Sequence, residues 1–154
     1  MLYRPSEKID IPAMARIRAC DWGELEYWEN RISRYLDGEL NPQHALAPRT
    51  CYVALEESSV VGFAAGHLTR RHACKGELQW INVIPERRGS GVAFQLLRLL
   101  AGWFVQHSAF RICVDVDPLN ETARTFYTRN GAEKLNDHWL VWSDIRGVLG
   151  RQRS

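Results

Sequence analysis

The chain has little of what marks several large classes of protein. It has four cysteines in 154 residues, and Cys20, Cys51, Cys74 and Cys113 stand far apart, in neither a C-x-x-C pair nor a dense framework. That spacing excludes a disulfide-stapled secreted domain and fits reduced thiols in a cytoplasm. The five histidines lack H-E-x-x-H or similar ligand spacing, so no metal site is expected. Charge of one sign is also scarce: twenty basic against eighteen acidic side chains leave a formal +2, too little for binding nucleic acid through a large positive field. No apolar run is long enough to span a membrane, and Met1-Leu2-Tyr3-Arg4-Pro5 leads into the charged Ser6-Glu7-Lys8 rather than the apolar stretch of a signal peptide.

What is present is a composition with 45% hydrophobic and 25% charged residues, enough for one domain with a full core. Residues 1–154 are read as a single domain, with about 146–154 as a loosely ordered basic tail. The pattern predicts a short strand at Leu2–Arg4, a helix over Ile11–Ala19 with Asp10 as N-cap, and a helix over Leu25–Leu36. Gly38–Pro48, with two prolines and no periodicity, reads as a connection. Cys51–Leu55 and Val60–Ala64 flank the turn residues Glu57-Ser58-Ser59 as a hairpin, and Glu77–Val83 reads as a strand stopped by Pro85. Apolar positions Val92, Leu96, Leu99, Leu100, Trp103 and Phe104 recur at helical spacing, giving a helix to about Gln106. A buried strand at Ile112–Val116 follows, then a helix from Glu121 to Arg129 capped by Asn120 and ended by Asn130-Gly131, then strands near Ala132–Leu135 and Trp139–Asp144. This order implies an α/β (α+β mixed) domain on one central, mostly antiparallel sheet with helices on both faces. Trp139 and Trp142, read as exposed aromatics, leave room for a homodimer interface.

One turn carries chemistry. Arg88-Gly89-Ser90-Gly91-Val92-Ala93 joins the end of a strand to the start of a helix, where backbone N–H groups and the helix dipole form an anion site. Glycine at 89 and 91 lets phosphate oxygens approach the amides, and Arg87 and Arg88 reinforce the charge. A P-loop would need Gly-Lys-Ser/Thr, which is absent. The dinucleotide fingerprint would need Gly or Ala at position 94, which is Phe94.

Val83-x-Pro85-x-x-Arg88-Gly89-x-Gly91-Val92-Ala93-x-x-Leu96-Leu97 resembles the phosphate-turn block of the GNAT acetyltransferase superfamily, whose fingerprint Arg/Gln-x-x-Gly-x-Gly/Ala is met by Arg88, Gly91 and Ala93. Asn120-x-x-Ala123-x-x-Phe126-Tyr127-x-x-Asn130-Gly131-Ala132 is similar to the family's second block. Ala93 and Ala132 stand where a glycine and an aromatic are commoner. The resemblance covers the chain from about Cys51 onward, with the strand-helix-helix pattern before it.

The resemblance implies acetyl-CoA as acetyl donor, held by Arg88, Gly89, Ser90, Gly91, Val92 and Ala93, by the backbone near Asn82 and Val83, and by Asn120 and Tyr127. It implies Glu77 as general base and Tyr127 as the acid that protonates the departing thiolate. Each also has an ordinary structural reading: Glu77 as an exposed strand-start residue, Tyr127 as an aromatic packed under the sheet, and Asn120 as a helix cap. Alternation puts Glu77, Gln79, Ile81 and Val83 on one face unless a bulge intervenes. Trp22, Tyr27 and Trp28, among the acids Asp21, Glu24, Glu26 and Glu29, together with Gln79, are the candidate acceptor wall. Arg49, Arg70, Arg71 and His72 point instead toward an anionic group. The expected activity is transfer of an acetyl group from acetyl-CoA to a primary amine, in a small molecule, within a ternary complex. A peptide acceptor and a non-catalytic acyl-CoA-binding module are the alternatives.

Overall fold

The computed structural model describes residues 1–151. Its elements are β1 (Leu2–Pro5), α1 (Ile11–Ala19), α2 (Leu25–Leu36), β2 (Ala45–Glu56), β3 (Ser59–Thr69), β4 (Gly76–Val83), α3 (Val92–Gln106), β5 (Ile112–Asp115), α4 (Glu121–Arg129), β6 (Glu133–Lys134), β7 (Trp139–Trp142) and α5 (Arg146–Leu149). They form a single mixed α/β domain on one seven-stranded sheet in the order β1-β2-β3-β4-β5-β7-β6. Every pairing is antiparallel except β4 with β5.

The sheet separates two cores. On one face α3 lays Leu96, Leu97, Leu100 and Phe104 against Ala64, Leu78, Val83 and Val114, joined by Tyr127 of α4. On the other, Met14 and Ile17 of α1 and Trp28, Ile32 and Tyr35 of α2 cover Val53, Phe63, Ala65 and Trp80. The i, i+4 spacing of Leu96, Leu100 and Phe104 puts all three on one stripe of α3. That stripe comes so close to the start of β4 that a Cβ on Gly76 would lie 2.5 Å from the Phe104 ring. A side chain there would force α3 off the sheet.

Four expectations change. β2 starts at Ala45, inside the stretch read as a connection, because it pairs with β3 from Ala45–Thr69 onward. Pro48, which has no N–H to give, falls in the register slip between Leu46 and Arg49. Asp10 does not cap α1 with its side chain. Instead it is buried and takes a two-pronged bond from Arg4 (2.7 and 3.0 Å) and the N–H of Glu7 (2.7 Å). From 146 to 149 the expected loose tail is α5, which sinks Val148 into the α3 core; 152–154 lie outside the described residues. Trp139 and Trp142 are buried in β7, so they offer no exposed interface.

Burial pushes the Asp10 carboxyl up, but the bonds from Arg4 and Glu7 outweigh it and leave it below the usual carboxylate range. A lowered folded value means the contribution is present above the unfolded value of about 3.9 and lost as pH falls through the folded one. Asp10→Ala is therefore expected to cost about 2 kcal/mol in urea unfolding at pH 7. The difference from the native protein should shrink toward pH 2; a constant difference across that range would contradict the assignment.

Candidate functional site

The site begins with an irregularity in β4. Against β3, Trp80 pairs with Ala65 and Leu78 with Gly66, so Gln79 has no opposite residue and forms a β-bulge. The extra residue reverses the alternation. Gly76 and Leu78 before it, and Ile81 and Val83 after it, face α3, whereas Glu77, Trp80 and Asn82 face α1 and α2. The expectation that Glu77, Gln79, Ile81 and Val83 share one face is corrected accordingly. On its other edge β4 pairs with β5 only over Gly76–Leu78 and Ile112–Val114. From the bulge to Val83 that edge has no strand neighbour among the described residues.

At the end of this open edge lies the glycine turn. Gly89 (φ 78°) and Gly91 (φ 91°) are both left-handed, a conformation that costs any residue with a Cβ. Gly91 directly precedes α3 and has no side chain to cap the N–H groups of its first turn, which leaves them for an anion. Arg88 donates from Nε to the Val83 carbonyl (3.2 Å), tying the turn to β4, and its outer nitrogen is 3.5 Å from Asp21. It remains 53% exposed. Arg87, expected to add to this charge, is held by Glu56 (Nε to Oε2 2.6 Å), and the Ser90 hydroxyl donates to the Arg87 carbonyl. An uncapped helix start, two left-handed glycines and an exposed guanidinium fit a pyrophosphate.

The far side of the opening is α4. Asn120 caps it, its Oδ1 accepting from the Ala123 N–H at 3.1 Å. One turn further into the helix, Tyr127 packs edge-on to Trp142 (ring centroids 5.6 Å). Burial pushes the Tyr127 hydroxyl above its ordinary value, and the charge of Arg18 draws it partly back. Arg18 belongs to α1, on the opposite face of the sheet from Tyr127. Its guanidinium lies over the Trp28 ring (4.2 Å) and donates to Asn82 Oδ1 (3.2 Å), while its Nε is buried without a partner. The sequence reading passed over Arg18. The available signal was a charge one turn after Met14, on the stripe that α1 buries.

The candidate acceptor wall divides. Trp22 and Tyr27 are 56% and 44% exposed and pack with tilted rings, centroids 5.7 Å apart, whereas Trp28 is core and supports them by donating from Nε1 to the Trp22 carbonyl (2.7 Å). Asp21 accepts from Asn82 Nδ2 (3.2 Å). Two of the cations expected to attract an anion, Arg49 and Arg71, are engaged elsewhere. Arg49 stacks on Tyr35 (4.6 Å) and donates to the carbonyls of Tyr35 and Leu40, and Arg71 donates to the Gln43 carbonyl and covers Trp139.

Glu77 is 4% exposed, not the surface residue of its ordinary reading. Its Oε1 is 3.5 Å from both His67 Nε2 and Arg71 Nε, and makes a hydrogen bond to neither. Gln79 also keeps a buried, unpartnered Oε1. Glu77 and Tyr127 thus lie on opposite faces of the sheet.

A family model for the acetyltransferase (GNAT) family matches residues 12–132. The chain belongs to the GNAT acetyltransferase family. Acetyl-CoA is accordingly its cosubstrate, and the enzyme is an acyltransferase. Solved structures share this GNAT fold at low identity. One is the PaiA N-acetyltransferase of Thermoplasma acidophilum in complex with coenzyme A (17% identity, TM-score 0.67, covering 91% of this chain and 96% of that one). Another is an aminoglycoside antibiotic 6'-N-acetyltransferase of Acinetobacter haemolyticus (18%, 0.72, 88% and 93%). A third is a ribosomal-protein-alanine N-acetyltransferase of Brucella melitensis (20%, 0.66, 92% and 95%). A search of curated protein sequences gave no match.

If the exposed guanidinium of Arg88 meets a phosphate of the cosubstrate, Arg88→Ala should raise the dissociation constant for coenzyme A roughly tenfold. At a fixed saturating concentration that removes about 1.4 kcal/mol of ligand stabilisation, read as a smaller thermal shift. An unchanged shift would place the phosphates elsewhere.

Proposed function

We propose that this enzyme is an N-acetyltransferase that moves the acetyl group of acetyl-CoA to a primary amine of a small molecule, directly and within a ternary complex, in the cytoplasm. The observation that carries the reading is Glu77. It is a carboxylate almost closed off from solvent, with an oxygen that no neighbour satisfies, two residues from the bulge where β4 opens.

Acetyl-CoA brings an activated thioester. The chain's own residues would do the rest. Arg88 and the turn Gly89-Ser90-Gly91-Val92-Ala93 hold the phosphates, and the free edge of β4 near Asn82 and Val83 offers N–H and C=O groups to an extended amide-bearing arm, as an added strand would. A backbone N–H there polarises the thioester carbonyl. Glu77 takes a proton from the acceptor ammonium, directly or through one water, so that the amine lone pair can attack. Tyr127, kept protonated by its raised value, returns a proton to the departing thiolate. Asn120 adds a contact at the α4 end.

Direct transfer is favoured because the buried Cys51 and Cys113 are poor nucleophiles, and Cys74, whose thiol is lowered by its hydrogen bond with Cys113, is closed off against Trp139 and Val141. Burial pushes the Cys51 thiol up to about 12, and Cys113 is raised by its bond to Cys74 and by burial. The exposed pair Trp22 and Tyr27, backed by Trp28 and flanked by acids, suits a small cationic amine, and Gln79 Oε1 suits an acceptor N–H.

Glu77→Gln is expected to lower kcat by about a hundredfold and Tyr127→Phe by about tenfold, both with unchanged affinity for coenzyme A. The assay is thiol release from acetyl-CoA with a polyamine, an aminoglycoside and an alanine-initiated peptide as acceptors. Full turnover in Glu77→Gln would remove it as base. Turnover on the peptide alone would move the substrate class. Binding without turnover on any amine would leave an acyl-CoA-binding module.

A further inference from the structure

The reading of Glu77 as base leaves one buried histidine unexplained. His67 lies on β3 directly opposite Glu77 on β4, and it is completely closed off from solvent. Its Nδ1 is 2.8 Å from the hydroxyl of Tyr35 on α2, also fully buried. Its Nε2 has no hydrogen-bond partner, and the nearest ionisable oxygen is Glu77 Oε1 at 3.5 Å, itself unpartnered. Two unpaired polar atoms buried face to face are an unusual thing for a core to keep.

The partners decide the tautomer. Burial holds the Tyr35 hydroxyl protonated, well above its ordinary value. Among the described residues that proton has one acceptor, His67 Nδ1. A neutral imidazole that accepts at Nδ1 carries its proton on Nε2. The Nε2–H therefore lies on the side of the ring nearest Glu77, 3.5 Å from Oε1. Other charged groups around the trio include Arg71, which follows β3 and lies 3.5 Å from Glu77 Oε1, Arg49 of β2, stacked on Tyr35, and Asp115 of β5, whose carboxyl feels the charges of Glu77 and Arg71.

We propose that His67 is a positioning residue for Glu77, and that the buried line Tyr35–His67–Glu77 fixes which carboxylate oxygen does the chemistry. This rests on Glu77 being the base. Tyr35 locks the imidazole, and the imidazole Nε2–H and the Arg71 cation, each 3.5 Å from Oε1, hold that oxygen by charge attraction without a hydrogen bond and leave Oε2 to the acceptor. The proton balance is simple. The ammonium gives one proton to Oε2, which passes it to solvent. The second proton lost by the nitrogen as the amide forms is matched by the one the departing thiolate gains.

The tautomer is read first, by long-range ¹H–¹⁵N correlation of the histidine rings in the ligand-free native protein. The account requires the Nε2–H form at His67, and a shift of that ring to the Nδ1–H form in Tyr35→Phe or loss of a single form there. An Nδ1–H ring in the native protein would overturn it, whether or not any variant folds. The kinetic arm uses acetyl-CoA with n-butylamine. His67→Phe is expected to lower kcat at least about tenfold with KM for acetyl-CoA unchanged, and His67→Gln, whose amide reaches as far as Nε2, to recover most of it. Equal loss in both variants with a lowered Tm would mark a purely structural role and overturn the proposal. Loss of activity in Glu77→Gln beside an unimpaired His67→Phe would defeat the positioning role alone; an active Glu77→Gln would defeat the base and the positioning role together.

Discussion

The chemistry proposed for this chain depends on where β4 stops pairing with β5. A parallel pair that continued past Leu78 would close the sheet and leave no room for a cosubstrate. The extra residue at Gln79 ends it, because a bulge removes a rung from the ladder and increases the local twist. An unpaired strand edge is normally a hazard that proteins cover or blunt. Here the open stretch of β4 is bracketed by α1 through Arg18 and Asn82 on one face and by Tyr127 of α4 on the other. Those flanks keep the edge from meeting another chain while leaving its amides for a ligand of matching form.

The bulge also sorts the polar groups. By reversing the alternation it sends Glu77 toward α2 and Val83 toward α3, so the carboxylate lies among His67, Tyr35 and Arg71 rather than beside the glycine turn. The separation is useful physically. A carboxylate beside the uncapped start of α3 would compete with a bound phosphate for the same N–H groups. Asp21 shows this on a small scale, since it rests against Arg88 and Asn82 beside the glycine turn, and a phosphate bound there would have to share them.

Much of this was legible in the sequence, and for reasons that can be named. Helix periods gave α2, α3 and α4 their limits because their apolar stripes are regular and Asn120 caps where a cap should stand. The glycine turn was legible because left-handed backbone at 89 and 91 leaves few alternatives to glycine. The bulge was not, since a residue that occupies an extra place in a strand looks like any other member of the run. The alternation through Gln79 was therefore read one residue out of phase beyond it. Long-range partners were equally hidden. His67 reads as a lone histidine until β3 and β4 are paired, Asp10 reads as a cap until Arg4 is brought beside it, and Trp139 and Trp142 read as surface until β7 is seen inside the sheet.

The most direct test of the account is a crystal structure of the protein with coenzyme A. The account predicts the pyrophosphate on the amides of the 89–93 turn, the pantetheine arm along the edge of β4 between Gln79 and Val83, and the thiol at the parting of β4 and β5. Coenzyme A bound away from that edge, or β5 paired with β4 beyond Leu78 in the complex, would contradict it.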